Sequence, residues 1–154
     1  MPFNGYTEEK YARDMLNTFI KRGIAPNRVW AQSFNPPNIF QWVKEYPEFA
    51  KQAVYLDEDG DTAATLITAT ARLGALKTKG VNIISPPFAY LLTTTTADNK
   101  TIIPSAYPIE AKKVGLDIIP WTFKRSGPLT NVAADGEYYY AKCFGLEYGN
   151  KCEN

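Results

Sequence analysis

The fold turns on Arg28-Val29-Trp30-Ala31-Gln32-Ser33-Phe34-Asn35, which runs directly into Pro36-Pro37. Val, Trp and Phe favour a pleated, half-buried strand, and the prolines end it just after a polar tip. The same pattern recurs downstream. Ala53-Val54-Tyr55-Leu56 ends in Asp57-Glu58-Asp59, and Val81-Asn82-Ile83-Ile84 ends in Ser85-Pro86. Leu116-Asp117-Ile118-Ile119-Pro120-Trp121-Thr122-Phe123 ends in Lys124-Arg125-Ser126. Short strands with polar tips, separated by helix-length segments, predict an α/β chain of about four βα units. Parallel strands joined by helices cross over right-handed, giving an open doubly wound sheet or part of a barrel. Either arrangement gathers the carboxyl ends of the strands on one rim. Gln32, Ser33, Asp57, Glu58, Ser85, Thr122 and Lys124 are therefore expected to converge.

The segments between the strands read as helices. Thr7 is placed to cap the first, with Glu8 and Glu9 at the positive end of its dipole and Gly23 as its stop. Tyr11, Met15 and Phe19 set its apolar stripe, with Leu16 and Ile20 beside them. A second helix is expected over 37–45, with Ile39, Phe40, Trp42 and Val43 inward and Pro47 ending it. A third, over 62–77, has Asp61 as its expected cap, Leu66, Ala69, Leu73 and Leu76 inward, and Gly80 as its stop. Residues 86–92 suggest a short helical piece and 93–99 a loop. Ser105 caps a last helix ending before Gly115, with Ile109 and Val114 on its apolar side. Pro120 argues for a bend or an end in the fourth strand. Residues 137–144 read equally as helix or strand, and 149–154 as a loose tail.

Composition narrows the function. A chain of 154 residues with 45% hydrophobic and 21% charged content is an ordinary globular length and mixture. Lys and Arg number 17 against 16 Asp and Glu, and no basic stripe interleaves with aromatics, so nucleic acid is not an expected partner. No apolar run approaches a membrane span. The amino-terminal Met1-Pro2-Phe3-Asn4-Gly5-Tyr6 lacks a signal-peptide layout, so the expected location is cytoplasmic, or secreted if a longer precursor exists. Cys143 and Cys152 read either as free thiols or as a short disulfide-closed loop. Asn99-Lys100-Thr101 is a glycosylation acceptor pattern with meaning only on a secreted chain. Histidine is absent altogether. That excludes a Ser-His-Asp triad, a Cys-His pair, histidine metal ligands and imidazole acid–base catalysis within these residues.

Three local motifs bear on a site. Asp57-Glu58-Asp59-Gly60-Asp61 is oxygen-rich, but an EF-hand needs Gly sixth and Glu twelfth. Here Gly60 is fourth and Thr68 twelfth. The motif reads as a solvated strand-to-helix turn or as a carboxylate donor to a rim-bound Mg²⁺ or Ca²⁺. Lys124-Arg125-Ser126-Gly127 suits either a phosphate or bulk solvent. Trp121, near the end of its strand, serves rim packing or a substrate wall.

In their order along the chain, Tyr6-Thr7-Glu8-Glu9-Lys10-Tyr11-Ala12, Val29-Trp30-Ala31-Gln32-Ser33-Phe34-Asn35, Ala53-Val54-Tyr55-Leu56-Asp57-Glu58 and the Leu116–Phe123 strand resemble the glycerophosphodiester phosphodiesterase family, closest to its longer fungal-type members. The Gln-Ser-Phe and Trp-Thr strand ends are the most specific parts, and the likeness covers residues 3–130. The resemblance implies a (β/α)₈ barrel that hydrolyses glycerophosphodiesters with a bound divalent cation, Mg²⁺ or Ca²⁺, in lipid metabolism. It implies further that this chain holds the later part of such a barrel: an incomplete TIM-barrel-like domain over 1–130, followed by an irregular segment over 131–154. By position, Gln32 and Ser33 would line the substrate pocket, Asp57 would lie near the metal, and Trp121, Thr122 and Lys124 would bound the substrate. The family's acid and base are histidines in a His-Arg-Gly segment and the loop after it, so no catalytic residue carries over to this chain.

Three functional expectations follow, in order of preference. The first is a partial phosphodiesterase chain, inactive alone. The second is a non-catalytic binding protein for phosphodiesters or a partner, with two copies pairing edge to edge as a homo-oligomer, since four strands leave open edges. The third retains hydrolysis through Asp57, Glu58 and a cation.

Overall fold

The computed structural model describes residues 4–95 and 101–121. Among them the chain runs α1 (Glu8–Lys21), β1 (Gln32–Ser33), α2 (Pro36–Glu45), α3 (Pro47–Ala50), β2 (Val54–Leu56), α4 (Ala63–Ala71), α5 (Leu73–Thr78), β3 (Ile83–Ser85), β4 (Leu92–Thr94), β5 (Ile102–Pro104), α6 (Ala106–Lys113) and β6 (Asp117–Ile118). Single 3-10 turns occupy Pro26–Arg28 and Phe88–Tyr90. Strands β1, β2, β3 and β6 form a four-stranded parallel sheet in that order, and β4 pairs antiparallel with β5 apart from it. The α/β reading with four parallel strands holds. As described, β1 and β6 are the edges of an open sheet.

Register assigns the faces. Gln32 lies beside Val54, Val54 beside Ile83, and Ile83 beside Asp117. The next row is Ser33, Tyr55, Ile84 and Ile118. Successive side chains along a strand point to opposite faces, so these rows face opposite ways. Tyr55, Ile84 and Ile118 pack into the main core with Leu16, Trp42, Leu73 and Tyr107 of the helices. That row therefore faces the helix layer, and Gln32, Val54, Ile83 and Asp117 face away from it.

Several local expectations are corrected by packing. The first strand is shorter than 28–34, because Pro26 starts a 3-10 turn that takes up Arg28. In α1 the deepest residues are Ala12 and Leu16, with Tyr11 and Ile20 exposed, because Trp42 of α2 sets which stripe is covered. Thr62, not Asp61, caps α4, in a reciprocal box with Thr65. The helix expected over 62–77 is two helices meeting at Arg72. Pro47 ends α2 but also opens α3, where its missing N–H costs nothing. Residues 93 and 94 belong to a strand, not a loop. In α6 the inward side chains are Tyr107 and Ala111, and Ile109 is exposed. The stops at Gly23 and Gly80 hold, both at positive φ. At Gly80 a Cβ would also sit 2.7 Å from Val43 Cγ1.

Candidate functional site

Phe34 and Trp121 lie just past the carboxyl ends of β1 and β6, the two edges of the sheet. Three strand spacings of about 4.8 Å separate those edges, roughly 14 Å across a flat sheet. Yet the two rings meet edge to face with centroids 6.0 Å apart. The two side chains therefore lean toward each other across the sheet, and with the strand tips between them they wall a concave recess on its helix-free face at the carboxyl rim. By alternation Gln32, Leu56, Ser85, Phe34 and Trp121 all belong to this face. Trp121 is anchored there: its indole Nε1 donates to Ser85 O at 2.8 Å, and its amide donates to Pro86 O at 3.0 Å. Ser85 Oγ in turn donates to Ile119 O, binding β3 to the chain after β6.

The expected site residues divide between the two faces. Gln32 is exposed on the concave side and Trp121 walls it. Ser33 faces the helices, where its Oγ accepts from Asn35 N and from Asn38 Nδ2, both at 3.0 Å, and so braces the start of α2. Thr122 and Lys124 lie outside the described residues, as do Cys143, Cys152 and the 137–144 segment.

Asp57 is fully buried, pointing with Tyr55 toward the helix layer. Its Oδ1 accepts from Arg72 Nη2 and from Asp59 N (3.2 Å), and its Oδ2 accepts from Tyr107 OH at 2.6 Å. Arg72 also pairs with Asp59 and donates to Tyr55 OH at 2.9 Å. The cluster ties the tip of β2 to the junction of α4 with α5 and to the first turn of α6. Burial and the neighbouring Asp57 carboxylate push the Tyr55 and Tyr107 hydroxyls well above the ordinary tyrosine range. Burial opposes the Arg72 charge, but Asp57 and Asp59 hold its pKa up. A cation at Asp57 would have to displace a guanidinium from a carboxylate whose two oxygens are both in use. Arranged this way, Asp57 does not fit a divalent ion.

Glu58 of the acidic turn is exposed, whereas Gly60 and Asp61 are tied into the fold. Tyr90 OH accepts from Gly60 N at 2.7 Å and donates to Asp61 Oδ1 at 3.0 Å. Burial and then Asp61 raise the Tyr90 pKa above the usual range. A Cβ on Gly60 would lie 2.7 Å from the Tyr90 ring, so only glycine fits the turn. Arg72, Tyr90 and Tyr107 were not singled out from sequence. The available signal was a charged residue, Arg72, inside an otherwise small and apolar helical run.

A cavity of about 700 Å³ adjoins the concave face at the β1 edge. It is lined from α1 by Glu8, Tyr11 and Met15 and from the β1 end by Gln32 and Phe34, with Leu56 beyond. Its lining includes a carboxylate but no Lys or Arg. Chemically, the described rim offers amide, hydroxyl and aromatic groups, which bind and orient.

No family model matches the chain, and no solved structure matches it. It is 39% identical over 142 residues to a protein of Arthroderma benhamiae described as an extracellular protein. The match takes in 92% of this chain and 57% of that relative. The chain thus spans little more than half the relative's length. No helix among the described residues is long and apolar enough to cross a membrane.

Proposed function

We propose that this chain is the substrate-binding part of an extracellular, fungal-type phosphoric diester hydrolase of lipid metabolism, built on the later units of a (β/α)₈ barrel and catalytically silent alone. The observation that carries the proposal is the concave carboxyl rim, where Trp121 is anchored on Ser85 and meets Phe34 across the sheet. Such a cleft suits the glycerol and alcohol ends of a small phosphodiester, with the Gln32 amide as a donor to phosphate oxygens. The sequence continues into Thr122 and Lys124, whose hydroxyl and ammonium suit the same anion. Silence rests on the absence of histidine, which leaves no imidazole to relay the proton. Secretion is supported by the description of the relative rather than by this chain's amino terminus, and it replaces the cytoplasmic expectation.

The test is glycerol 3-phosphate release from glycerophosphocholine by the folded chain, with Mg²⁺ or Ca²⁺ and with a chelator, alongside NMR of the Trp121 indole during titration. The expected result is no turnover and a saturable indole shift that Gln32→Ala weakens. Chelator-sensitive turnover lost in Asp57→Ala would overturn the silent reading. A Trp121 indole indifferent to the phosphodiester would overturn the binding reading.

A further inference from the structure

The cavity of about 700 Å³ lies where the first turns of α1 and α2 meet the tips of β1 and β2, and its volume is that of a small-molecule site. Its walls are mostly apolar: Tyr11 and Met15 from α1, Phe34 beyond β1 and Leu56 at the end of β2, with Trp42 also in the lining. One charged side chain, Glu8, lines this space. A buried amide holds it. Asn38, 7% exposed, donates from Nδ2 to Glu8 Oε1 at 3.1 Å and to Ser33 Oγ at 3.0 Å. The dipole of α1 favours a carboxylate at its first residue in any rotamer, whereas the Asn38 bond fixes one rotamer at the cavity wall. Glu8 Oε2 accepts no hydrogen bond from the described residues, and Glu8 has no ion pair among them. The neighbouring cations of α1 are engaged elsewhere: Lys10 pairs with Asp14, and Arg13 with Glu9 and Glu45. Trp42 Nε1 donates to Ala12 O at 3.1 Å and Arg13 Nε to Glu45 Oε2 at 2.8 Å, so α1 and α2 hold the walls in place ahead of a ligand.

These features choose a ligand class. An anion would meet a carboxylate in a lining without Lys or Arg. A hard metal ion needs several oxygen ligands, and the described residues hold no group of three His, Cys, Asp or Glu side chains placed to share one. A neutral apolar molecule would fill the walls but strip water from an unpaired carboxylate. An organic ammonium ion satisfies both parts, its charge set against Glu8 and the aromatic faces, its carbon body against Met15 and Leu56. We propose that this cavity binds an organic ammonium ion carrying an aryl or branched alkyl group, with Glu8 as its counter-ion and Asn38 positioning Glu8. No phosphate contact is involved, so ammonium binding here stands apart from phosphodiester binding at the recess, although Phe34 borders both.

The experiment titrates the full chain with phenethylammonium chloride in phosphate-free buffer, followed by NMR of the Trp42 indole and by calorimetry. Neutral phenylethanol and anionic hydrocinnamate, of similar size, are the controls. The expected result is a saturable shift with the ammonium, binding of the alcohol at least about tenfold weaker, and none of the anion. Glu8→Gln keeps an oxygen for Asn38 but removes the charge. It should weaken the ammonium about tenfold and leave the alcohol unchanged. Tyr11→Leu, at an exposed lining position, removes a ring face and should weaken the ammonium about threefold. That variant carries the test if Glu8→Gln fails to fold by circular dichroism. No saturable shift, equal binding of ammonium and alcohol, or undiminished ammonium binding by a folded variant would each overturn the proposal. Ammonium binding by a chain whose Trp121 ignores the phosphodiester would uphold this site and sink the other, so the two failures are distinguishable.

Discussion

Replacing Arg72 by Met tests whether the β2 tip depends on one ion pair. The Asp57 carboxylate is 0% exposed, and Arg72 is its only cationic partner among the described residues. Removing one partner of a buried pair costs about 3–5 kcal/mol, because the remaining charge is left uncompensated. Two features lower the figure here. The Arg72 side chain is 29% exposed, so water can partly replace it, and Asp57 keeps its bonds from Asp59 N and Tyr107 OH. The low end, about 3 kcal/mol, is expected. For a chain of this size that corresponds to a fall in Tm of roughly 6–12 °C. Urea unfolding followed by circular dichroism measures the loss. The double variant Asp57→Asn with Arg72→Met should recover at least about 1 kcal/mol relative to the sum of the single losses, since the stranded charge is gone. A loss below about 1 kcal/mol in Arg72→Met, or strict additivity in the double variant, would refute the reasoning.

Two further outcomes follow from the same region. Tyr55, Tyr90 and Tyr107 all have pKa values raised above the ordinary tyrosine value of about 10, by burial first and by neighbouring carboxylates second. Above pH 10 the unfolded chain releases these protons while the folded chain keeps them, so stability is full below pH 10 and declines as pH rises beyond it. Urea midpoints from pH 8 to 11.5 should show that decline, and it should be shallower in Tyr107→Phe. Gly60→Ala places a methyl against the Tyr90 ring and should cost about 1–3 kcal/mol, read by the same denaturation, whereas Gly74→Ala, whose Cβ would meet only Val114 at 3.9 Å, should be tolerated.

Much of the fold was legible because its signals are local. Thr7 caps α1 through Lys10 N, and Ser105 caps α6 through Tyr107 N. Gly23 and Gly80 stop helices at positive φ, which L side chains avoid. The β-prone run 53–56, bounded by polar residues, needed no tertiary context to read as a strand. Errors arose where a partner distant in sequence chose the outcome. Tyr11 and Leu16 both sit at helical spacing, and contact with α2 buried only Leu16. Residues 93 and 94 became a strand because residues 102–104 lie beside them.

The candidate site divides the same way. The common direction of βα units was enough to place Gln32, Ser33, Asp57 and Ser85 at the carboxyl ends of neighbouring strands, because that rule depends on the repeat alone. Spacing does not say what a side chain meets on the far side of a sheet. Asp57 has the position of a rim carboxylate, but burial in a low-dielectric layer demands a cation and hydrogen-bond donors. Residues 15 and 50 positions away supply them, Arg72 and Tyr107. Sequence by itself determined the repeat, the strand tips and the lack of imidazole. Only the tertiary structure decided which tips face the concave rim and which are held behind it, because a buried charge goes where its partners are.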